Sequence, residues 1–400
     1  MRRKWMHLLD KFRYMWYLVN YFAALALCPF LKNNPKYKDL WIIAERGTDA
    51  RDNASHLFRY IRKNHPEINI CYIISRDAQD REEMAALGRV VDYRSFEHFL
   101  VFAISQVKIS THIMGFAPDM LLFKDLDKHL PIRGVKIFLQ HGIILSDLPY
   151  LYADNVKLDL FVCGAKKEWA FIRDGFGHPA EAVQHLGLCR YDRLPCEPPQ
   201  KSRVLLLMPT WRVYVHDSIF NDRQFLQCEY YQVFQHLLSN PRLGQLLETY
   251  DYTLKFFPHH GVQAYVHCFH WESSRIRIVD ARQQGVQHAL IESDALLTDY
   301  SSVFFDFGYM MKPMLFYQFD QADFRQRQYQ QGYFSYENDG FGPVCTREDA
   351  FLDALEQLLE NGCTLNEEYR SRIEGFFTIR DDQNCRRNFD AICKLWKKDL

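Results

Sequence analysis

The 400-residue sequence lacks a net charge of either sign, because 49 Lys and Arg residues oppose 50 Asp and Glu residues to give a formal charge of −1. A protein that coats nucleic acid needs a large positive surplus, so we expect no nucleic-acid partner. The sequence also lacks short-period repeats and low-complexity tracts, which argues against a solenoid. Its length predicts two domains, or three.

Motifs of several large enzyme classes are missing. No G-x-G-x-x-G follows the first predicted strand, which argues against a dinucleotide dehydrogenase, and the absence of G-x-x-x-x-G-K-[ST] excludes a P-loop hydrolase. Neither G-x-S-x-G nor H-E-x-x-H occurs. The 11 cysteines form no C-x-x-C pair and no Cys/His cluster with zinc spacing. We therefore predict no protein-bound metal site and interpret the cysteines as reduced thiols.

The first 35 residues combine basic, aromatic and apolar side chains. Residues 1–4 are basic, residues 14–31 carry no charge, and Trp5 and Trp16 lie beside Arg and Lys, a combination typical of helices at membrane interfaces. The uncharged run is at the lower limit for a membrane span. Three interpretations stay open: a helix on the membrane surface, which we prefer, a helix packed on the protein body, and a true span.

Short apolar runs that alternate with helical stretches predict parallel sheets flanked by helices. Runs interpreted as strands of a first sheet lie at residues 40–44, 70–74, 107–111, 135–139 and 158–162. Runs of a second sheet lie at residues 204–208, 252–257, 276–279, 295–298 and 314–317. Three prolines within residues 195–199 predict a linker between them.

The fold class is therefore α/β, with two Rossmann-type doubly wound domains that face a cleft. We expect an N-terminal helix at residues 1–35, a first domain at 36–195, a second domain at 196–380 and a C-terminal helix at 381–400. Ligands of such folds bind at the carboxyl ends of the strands.

The first polar segment at a predicted strand end contains His141 and Gly142. An imidazole titrates near neutrality, so His141 could take a proton from an attacking hydroxyl. Gly142 would permit the close approach of a ligand. The alternative is a histidine that bonds a neighbouring carbonyl.

Two further segments end strands of the second sheet. Pro209 and Thr210 precede Arg212, which could pair with phosphate or shape the loop. His259 and His260 could face a diphosphate and stabilise a leaving phosphate.

The segment from Thr298 to Asp306 runs from a strand into a helix. Ser301 and Ser302 would offer hydroxyls and N–H groups to an anion at the helix N-terminus, the alternative being simple capping. Asp306 lies one turn further on an apolar helix, where it would orient hydroxyls or bind a cation. Arg190, near the domain seam, could reach a phosphate or pair with a neighbouring aspartate.

The order and spacing of these segments resemble the CDP-glycerol glycerophosphotransferase family of teichoic-acid and capsule synthesis. The resemblance rests on His141-Gly142, Gly187-x-x-Arg190-x-Asp192, Pro209-Thr210-Trp211-Arg212, Pro258-His259 and Thr298-Asp299-Tyr300-Ser301-Ser302-x-x-x-Asp306. The segments Glu45-Arg46-Gly47, Asp52-Asn53 and Ser110-Thr111-His112 are similar to the capsule-type branch of this family.

The resemblance implies a GT-B fold, an acceptor domain followed by a CDP-donor domain, and transfer of an alditol phosphate from a CDP-alditol to a hydroxyl with release of CMP. His141 would be the catalytic base, and His259 would stabilise the departing CMP. The donor would contact Gly142, Ile143, Ile144, Leu145, Arg190, Pro209, Thr210, Ser301, Ser302 and Asp306.

The expected donor is CDP-glycerol or CDP-ribitol, with a divalent cation left open as cofactor. The acceptor would be a lipid-linked or polymeric hydroxyl at the inner leaflet, with the enzyme held peripherally on the cytoplasmic face of the bacterial cell membrane. Two rival functions remain: a GT-B glycosyltransferase that uses a nucleotide sugar in capsule or lipopolysaccharide synthesis, and a non-catalytic scaffold of an assembly complex.

Overall fold

The computed structural model describes residues 2–197, 200–219, 221–280, 285–328 and 330–398. Pro198 and Pro199 of the predicted linker and the side chains of the basic N-terminal residues lie outside this description. The chain divides into two compact units. Unit 1 contains Met1–Ile143, Leu148–Arg193 and Asp381–Leu400, and unit 2 contains Ile144–Asp147 and Leu194–Arg380.

Unit 1 is built on a seven-stranded sheet in the order β3-β2-β1-β4-β5-β6-β7, in which all neighbouring strands run parallel. Its strands are β1 (Trp41–Ala44), β2 (Ile70–Ile74), β3 (Val90–Asp92), β4 (Val107–Ser110), β5 (Val135–Phe138), β6 (Leu160–Cys163) and β7 (Val183–His185). Most strand residues are apolar and buried because helices cover both faces. The order reverses between β1 and β4, the point at which such sheets bind ligands.

Helices divide between the two faces of this sheet. They are α1 (Arg2–Leu31), α2 (Asn53–Asn64), α3 (Arg81–Leu87), α4 (Phe96–Ile104), α5 (Met120–His129), α6 (Lys166–Gly175) and α17 (Asn384–Lys398). Trp41 and Ile43 face the core shared with α2 and α17, whereas Ile42 and Ala44 face the core shared with α1, α4 and α5. This alternation follows from the two-residue period of a strand.

Helix α1 has one buried side and one exposed apolar side. Tyr17 contacts Phe99 and Tyr21 contacts Phe102, which fixes the helix on α4. Large apolar side chains point away from this contact at Phe12, Met15, Trp16, Val19, Phe22, Leu27 and Phe30. The stretch Lys11–Leu31 is long and apolar enough to cross a membrane by length and composition, and 22% of its apolar window is buried in the protein. The helix therefore packs on the protein body and also presents an apolar surface.

Unit 2 repeats the architecture with a parallel six-stranded sheet in the order β10-β9-β8-β11-β12-β13. Its strands are β8 (Val204–Leu207), β9 (Thr253–Phe256), β10 (Ile276–Ile278), β11 (Ala295–Thr298), β12 (Met314–Tyr317) and β13 (Val344–Cys345). The order reverses between β8 and β11. The prediction of two doubly wound α/β units is thus confirmed.

The helices of unit 2 enclose this sheet. They are α7 (Val213–Ser218), α8 (Asp222–Leu226), α9 (Glu229–Ser239), α10 (Pro241–Thr249), α11 (Val286–Glu292), α12 (Val303–Tyr309), α13 (Gln321–Arg327), α14 (Tyr336–Asp339), α15 (Glu348–Glu360) and α16 (Glu367–Phe376). Helices α9, α10 and α15 pack over one aliphatic face. An aromatic cluster lies around Phe304 and Phe305 of α12 and includes Phe334, Phe341 and Phe376.

Candidate functional site

The backbone turns sharply where β5 ends, and this turn exposes His141. Gln140 adopts a left-handed conformation with φ of 63°, which is uncommon for a residue other than glycine. Its buried side chain donates to the carbonyl of Val162 at 2.5 Å and to Glu168 at 3.1 Å, so the surrounding structure holds this conformation. The side chain of His141 that follows is 70% exposed.

Asp52 holds the imidazole of His141. It is the N-cap residue of α2, and its Oδ2 lies 2.6 Å from Nδ1 of His141. Arg190 Nη1 donates to Asp52 Oδ1 at 2.9 Å and to the carbonyl of His141 at 2.6 Å. Asn53 accepts from the N–H of Arg190 and donates to the carbonyl of Gln140. Unit 1 therefore contains a His141–Asp52 pair, and Arg190 holds both residues in place by hydrogen bonds.

The charges around His141 and Asp52 determine which atoms of this pair carry protons. The negative charge of Asp52 and its hydrogen bond raise the pKa of His141 above its usual value. Burial would raise the pKa of Asp52, but the charges of Arg190 and His141 outweigh it and hold that pKa well below its usual range. Because an ionised carboxylate only accepts hydrogen bonds, the proton lies on Nδ1 and the outward Nε2 is the basic nitrogen.

Glu45 lies behind Asp52 as a second buried carboxyl. Its oxygens accept the N–H groups of Arg51 at 3.0 Å and Asp52 at 2.5 Å. Burial, then the charge of Asp52, raises the pKa of Glu45 to about 8. Glu45 is therefore neutral at neutral pH and fixes the loop that carries Asp52 without adding a charge.

Two alternatives that the sequence left open can be compared with this geometry. Arg190 contacts Asp52 and the carbonyl of His141, whereas Asp192 accepts from the N–H groups of Asn384 and Cys385 at the start of α17. Nδ1 of His141 bonds Asp52 and not a carbonyl. The contact between Asp52 and His141 was not predicted from the sequence. One sequence feature could have indicated this contact. Asp52 is a charged residue in the segment after β1, and β1 neighbours β4 at the switch point of the sheet.

In unit 2, Arg212 is a buried structural residue. Its guanidinium bonds Asp299 Oδ2 at 2.8 Å and Asp320 Oδ2 at 2.7 Å, and it donates to the carbonyl of Thr210 at 2.7 Å. Of the two roles that the sequence left open, shaping the loop is the one that this geometry supports. The pair of carboxylates keeps the arginine ionised in a buried setting.

The loops after β8 and β11 are tied together at the switch point of unit 2. Asp299 Oδ1 accepts the N–H groups of Thr210 and Tyr300 at 2.8 and 2.6 Å. The hydroxyl of Thr210 is buried and has no partner within the described ranges. A buried hydroxyl without a partner is rare and indicates a ligand or an ordered water. Pro209 immediately precedes this residue.

The remaining predicted residues occupy different settings. His259 Nδ1 accepts the N–H of Gly261 at 3.2 Å, and the ring lies 6.0 Å from that of Trp211. Ser302 precedes α12 without making a side-chain capping bond, whereas Asp306 is buried. Gly142, Leu145, Ser301 and Ser302 are half-buried or exposed, whereas Ile143 and Ile144 are buried.

One group of three side chains could offer metal ligands in the part of the chain that the structure describes. Atoms of Asp222, His267 and Cys268 lie within 4.8 Å of one another, and His267 bonds Asp222 at 2.8 Å. None of these residues belongs to the predicted site. Sequence spacing gave no hint of the group because Asp222 and His267 are 45 residues apart.

Comparisons with known proteins point to one family. The family model described as CDP-Glycerol:Poly(glycerophosphate) glycerophosphotransferase matches residues 26–159 and 181–394. The chain is 30% identical over 372 residues to the minor teichoic acid biosynthesis protein GgaB of Bacillus subtilis, with 90% of this chain and 40% of the relative covered. It is 23% identical over 359 residues to a teichoic acid poly(glycerol phosphate) polymerase of Bacillus subtilis, with 80% and 46% covered.

The chain therefore spans less than half the length of these two relatives. Among solved structures, the wall teichoic acid polymerase TagF matches with a TM-score of 0.66 and 17% identity over 98% of each chain. At that identity, the likeness concerns the fold alone.

Proposed function

Because this chain belongs to the CDP-glycerol:poly(glycerophosphate) glycerophosphotransferase family, we propose that it transfers glycerol phosphate from CDP-glycerol to a hydroxyl of a growing surface polymer and releases CMP. The observation that carries this proposal is the His141–Asp52 pair at the switch point of unit 1, with its basic nitrogen directed outward. Relatives in the same family are named for teichoic acid synthesis. The proposed acceptor is a polymeric or lipid-linked hydroxyl.

The proposed reaction is a single displacement at phosphorus. Nε2 of His141 takes the proton of the acceptor hydroxyl while that oxygen bonds to the β-phosphorus of CDP-glycerol. The bond from this phosphorus to the bridging oxygen breaks, and CMP leaves with the electron pair. Asp52 stabilises the imidazolium that forms, and general-base assistance of this kind contributes about 10²–10⁴-fold in rate.

We place the donor on unit 2, at the loops after β8 and β11. The unpartnered hydroxyl of Thr210 and the serines before α12 support this placement, because each is positioned at the switch point of the sheet. Within unit 2, His259 would neutralise charge on the leaving CMP. Arg190 and the backbone from Gly142 to Leu145 stay predicted donor contacts. Asp306 would face a divalent cation if the reaction requires one.

A donor screen tests this proposal. Purified protein is offered CDP-glycerol, CDP-ribitol, UDP-sugars and CMP-sugars separately, with an alditol-phosphate oligomer as acceptor, and nucleotide release is measured with and without a chelator. We expect CMP from CDP-glycerol. Turnover of nucleotide sugars alone would favour the glycosyltransferase alternative, and the absence of any nucleotide binding would favour the scaffold. Loss of activity with the chelator would establish a divalent cation.

We also propose peripheral attachment to the cytoplasmic face of the membrane through the exposed side of α1. The support is that its inner side packs on α4 while apolar side chains such as Trp16 and Val19 face outward. An exposed apolar surface of this extent marks an interaction site. Lys11 and Lys32 stand at the two ends of the apolar stretch of this helix. A lipid-linked acceptor would lie at the same surface.

Vesicle sedimentation tests this attachment. Trp16→Glu combined with Val19→Glu is expected to release the protein from phosphatidylglycerol vesicles, because two charges would enter the interface. Leu226→Glu is the matched control, since Leu226 is an exposed apolar residue of unit 2. Equal vesicle binding by both variants would contradict the proposed surface.

A further inference from the structure

A second imidazole lies beside His141 in unit 1. The ring of His112, in the loop after β4, has its centroid 5.0 Å from the ring of His141 at an angle of 34°. Its carbonyl accepts from Ser110 Oγ at 2.7 Å and from the N–H of Gly115 at 2.9 Å. Gly115 admits no side chain, because a Cβ there would lie 2.0 Å from the carbonyl oxygen of Glu45. The loop therefore holds His112 firmly next to the base.

The hydrogen bond of the ring defines its tautomer. Nδ1 of His112 lies 3.0 Å from Oγ1 of Thr111, and Thr111 is fully buried. A buried hydroxyl proton needs an acceptor, and Nδ1 is the one that the described residues provide. Thr111 therefore donates to Nδ1, which places the ring proton of His112 on Nε2. Within the described ranges this Nε2–H has no protein partner.

The two imidazoles differ in charge. Burial, followed by the charge of His141, lowers the pKa of His112 to about 4, against the smaller opposing effect of Asp52. Arg46 and Asp49 also face the ring with opposite effects. The ring therefore stays neutral at neutral pH and remains a hydrogen-bond donor while His141 gains a proton.

We propose that His112 is a further catalytic residue, which donates its Nε2–H to an anionic oxygen of the phosphoryl group that the acceptor hydroxyl attacks. The assignment rests on the proposed function. Neutral donors aimed at developing negative charge stabilise the transition state, and loss of one such donor costs about 10²–10³-fold in kcat. In this assignment His141 accepts the proton of the acceptor hydroxyl, and His112 donates a hydrogen bond to the phosphoryl oxygen.

Two substitutions separate this role from a structural one. His112→Gln keeps an N–H at the distance of Nε2, whereas His112→Asn keeps only a group at the position of Nδ1 that can bond Thr111. If His112 is the donor, Gln retains most of kcat and Asn loses about 10²–10³-fold, with KM for CDP-glycerol little changed. The ratio of wild-type kcat to that of His112→Asn should be the same at every pH well above 4, because the imidazole of His112 has a pKa of about 4 and does not titrate there.

Thermal unfolding verifies that both variants fold, and His129→Ala serves as a control because His129 is an exposed histidine of α5. If Asn retains activity while Gln loses it, the ring acts through Thr111 and the assignment is overturned. Activity equal to wild type in both variants overturns it as well. A folded wild type that releases no CMP from any CDP-alditol overturns the proposed function itself, and the assignment falls with it.

Discussion

Replacing Asp52 by Asn isolates the charge that orients His141. The two side chains have nearly the same shape, and Asn is also a favoured N-cap residue, so α2 should form normally. The amide would donate to Nδ1 of His141, which forces the ring proton onto Nε2 and removes the base. The remaining amide oxygen can still accept from Arg190, which also keeps its bond to the carbonyl of His141.

The size of the effect follows from the contact between Asp52 and His141. The negative charge of Asp52 and its hydrogen bond raise the pKa of His141, so removal of that charge should lower this pKa. Because the side chain of His141 is 70% exposed, solvent screens the charge and limits this change. The wrong tautomer has a larger effect on rate, up to about 10⁴-fold by analogy with the orienting aspartate of a Ser-His-Asp triad.

The assay is the pH dependence of CMP release at saturating CDP-glycerol. In the wild type, activity rises with pH as His141 loses its proton, at a pH above the usual histidine value because its pKa is raised. In Asp52→Asn, this rise should move to lower pH, because the charge that raises the pKa of His141 is gone, while the plateau falls steeply. Asp92→Asn is the control, since Asp92 pairs with Arg76 and Arg81. If activity rose at the same pH as in the wild type and its plateau stayed within about threefold of the wild-type value, the reasoning would be refuted.

Further predictions concern the scaffold and the donor loop. Arg212→Ala should lower the free energy of unfolding by about 3–5 kcal/mol in denaturant titrations, because two buried carboxylates lose their partner. Gly115→Ala should lower both the free energy of unfolding and kcat, because the added Cβ would lie 2.0 Å from the carbonyl oxygen of Glu45. Gly375→Ala is the control, because its added Cβ would meet nothing within 4 Å outside its own helix backbone and chain neighbours. Its free energy of unfolding should rise by about 0.5–1 kcal/mol. Thr210→Val should weaken CDP-glycerol binding in calorimetry without changing the melting temperature, and unchanged affinity would place the donor elsewhere.

Strand positions were largely readable from the sequence because parallel strands buried on both faces are continuous apolar runs. The prediction of strands near residues 70–74 and 135–139 is confirmed by β2 and β5. Strands β3, β7 and β13, which contain two or three residues each, were missed. A run this short is hard to distinguish from a loop, although β10, which also has three residues, was predicted within residues 276–279.

The candidate site was readable only in part. His141 was found because it follows an apolar run, but its partner Asp52 is 89 residues away, and only the strand order brings the ends of β1, β4 and β5 together. The role of Arg212 could not be decided from the sequence either. A short sequence pattern cannot distinguish an arginine that binds phosphate from one that is buried between Asp299 and Asp320, because both need neighbouring polar loops.

The most direct test of the central claim is mass analysis of the acceptor after reaction with CDP-glycerol, with CMP counted in the same sample. We predict that wild type adds glycerol phosphate units and releases one CMP for each, whereas His141→Ala adds none although it still folds and binds CDP-glycerol. Transfer at the wild-type rate by His141→Ala, or an acceptor that gains a sugar without phosphorus, would contradict the account.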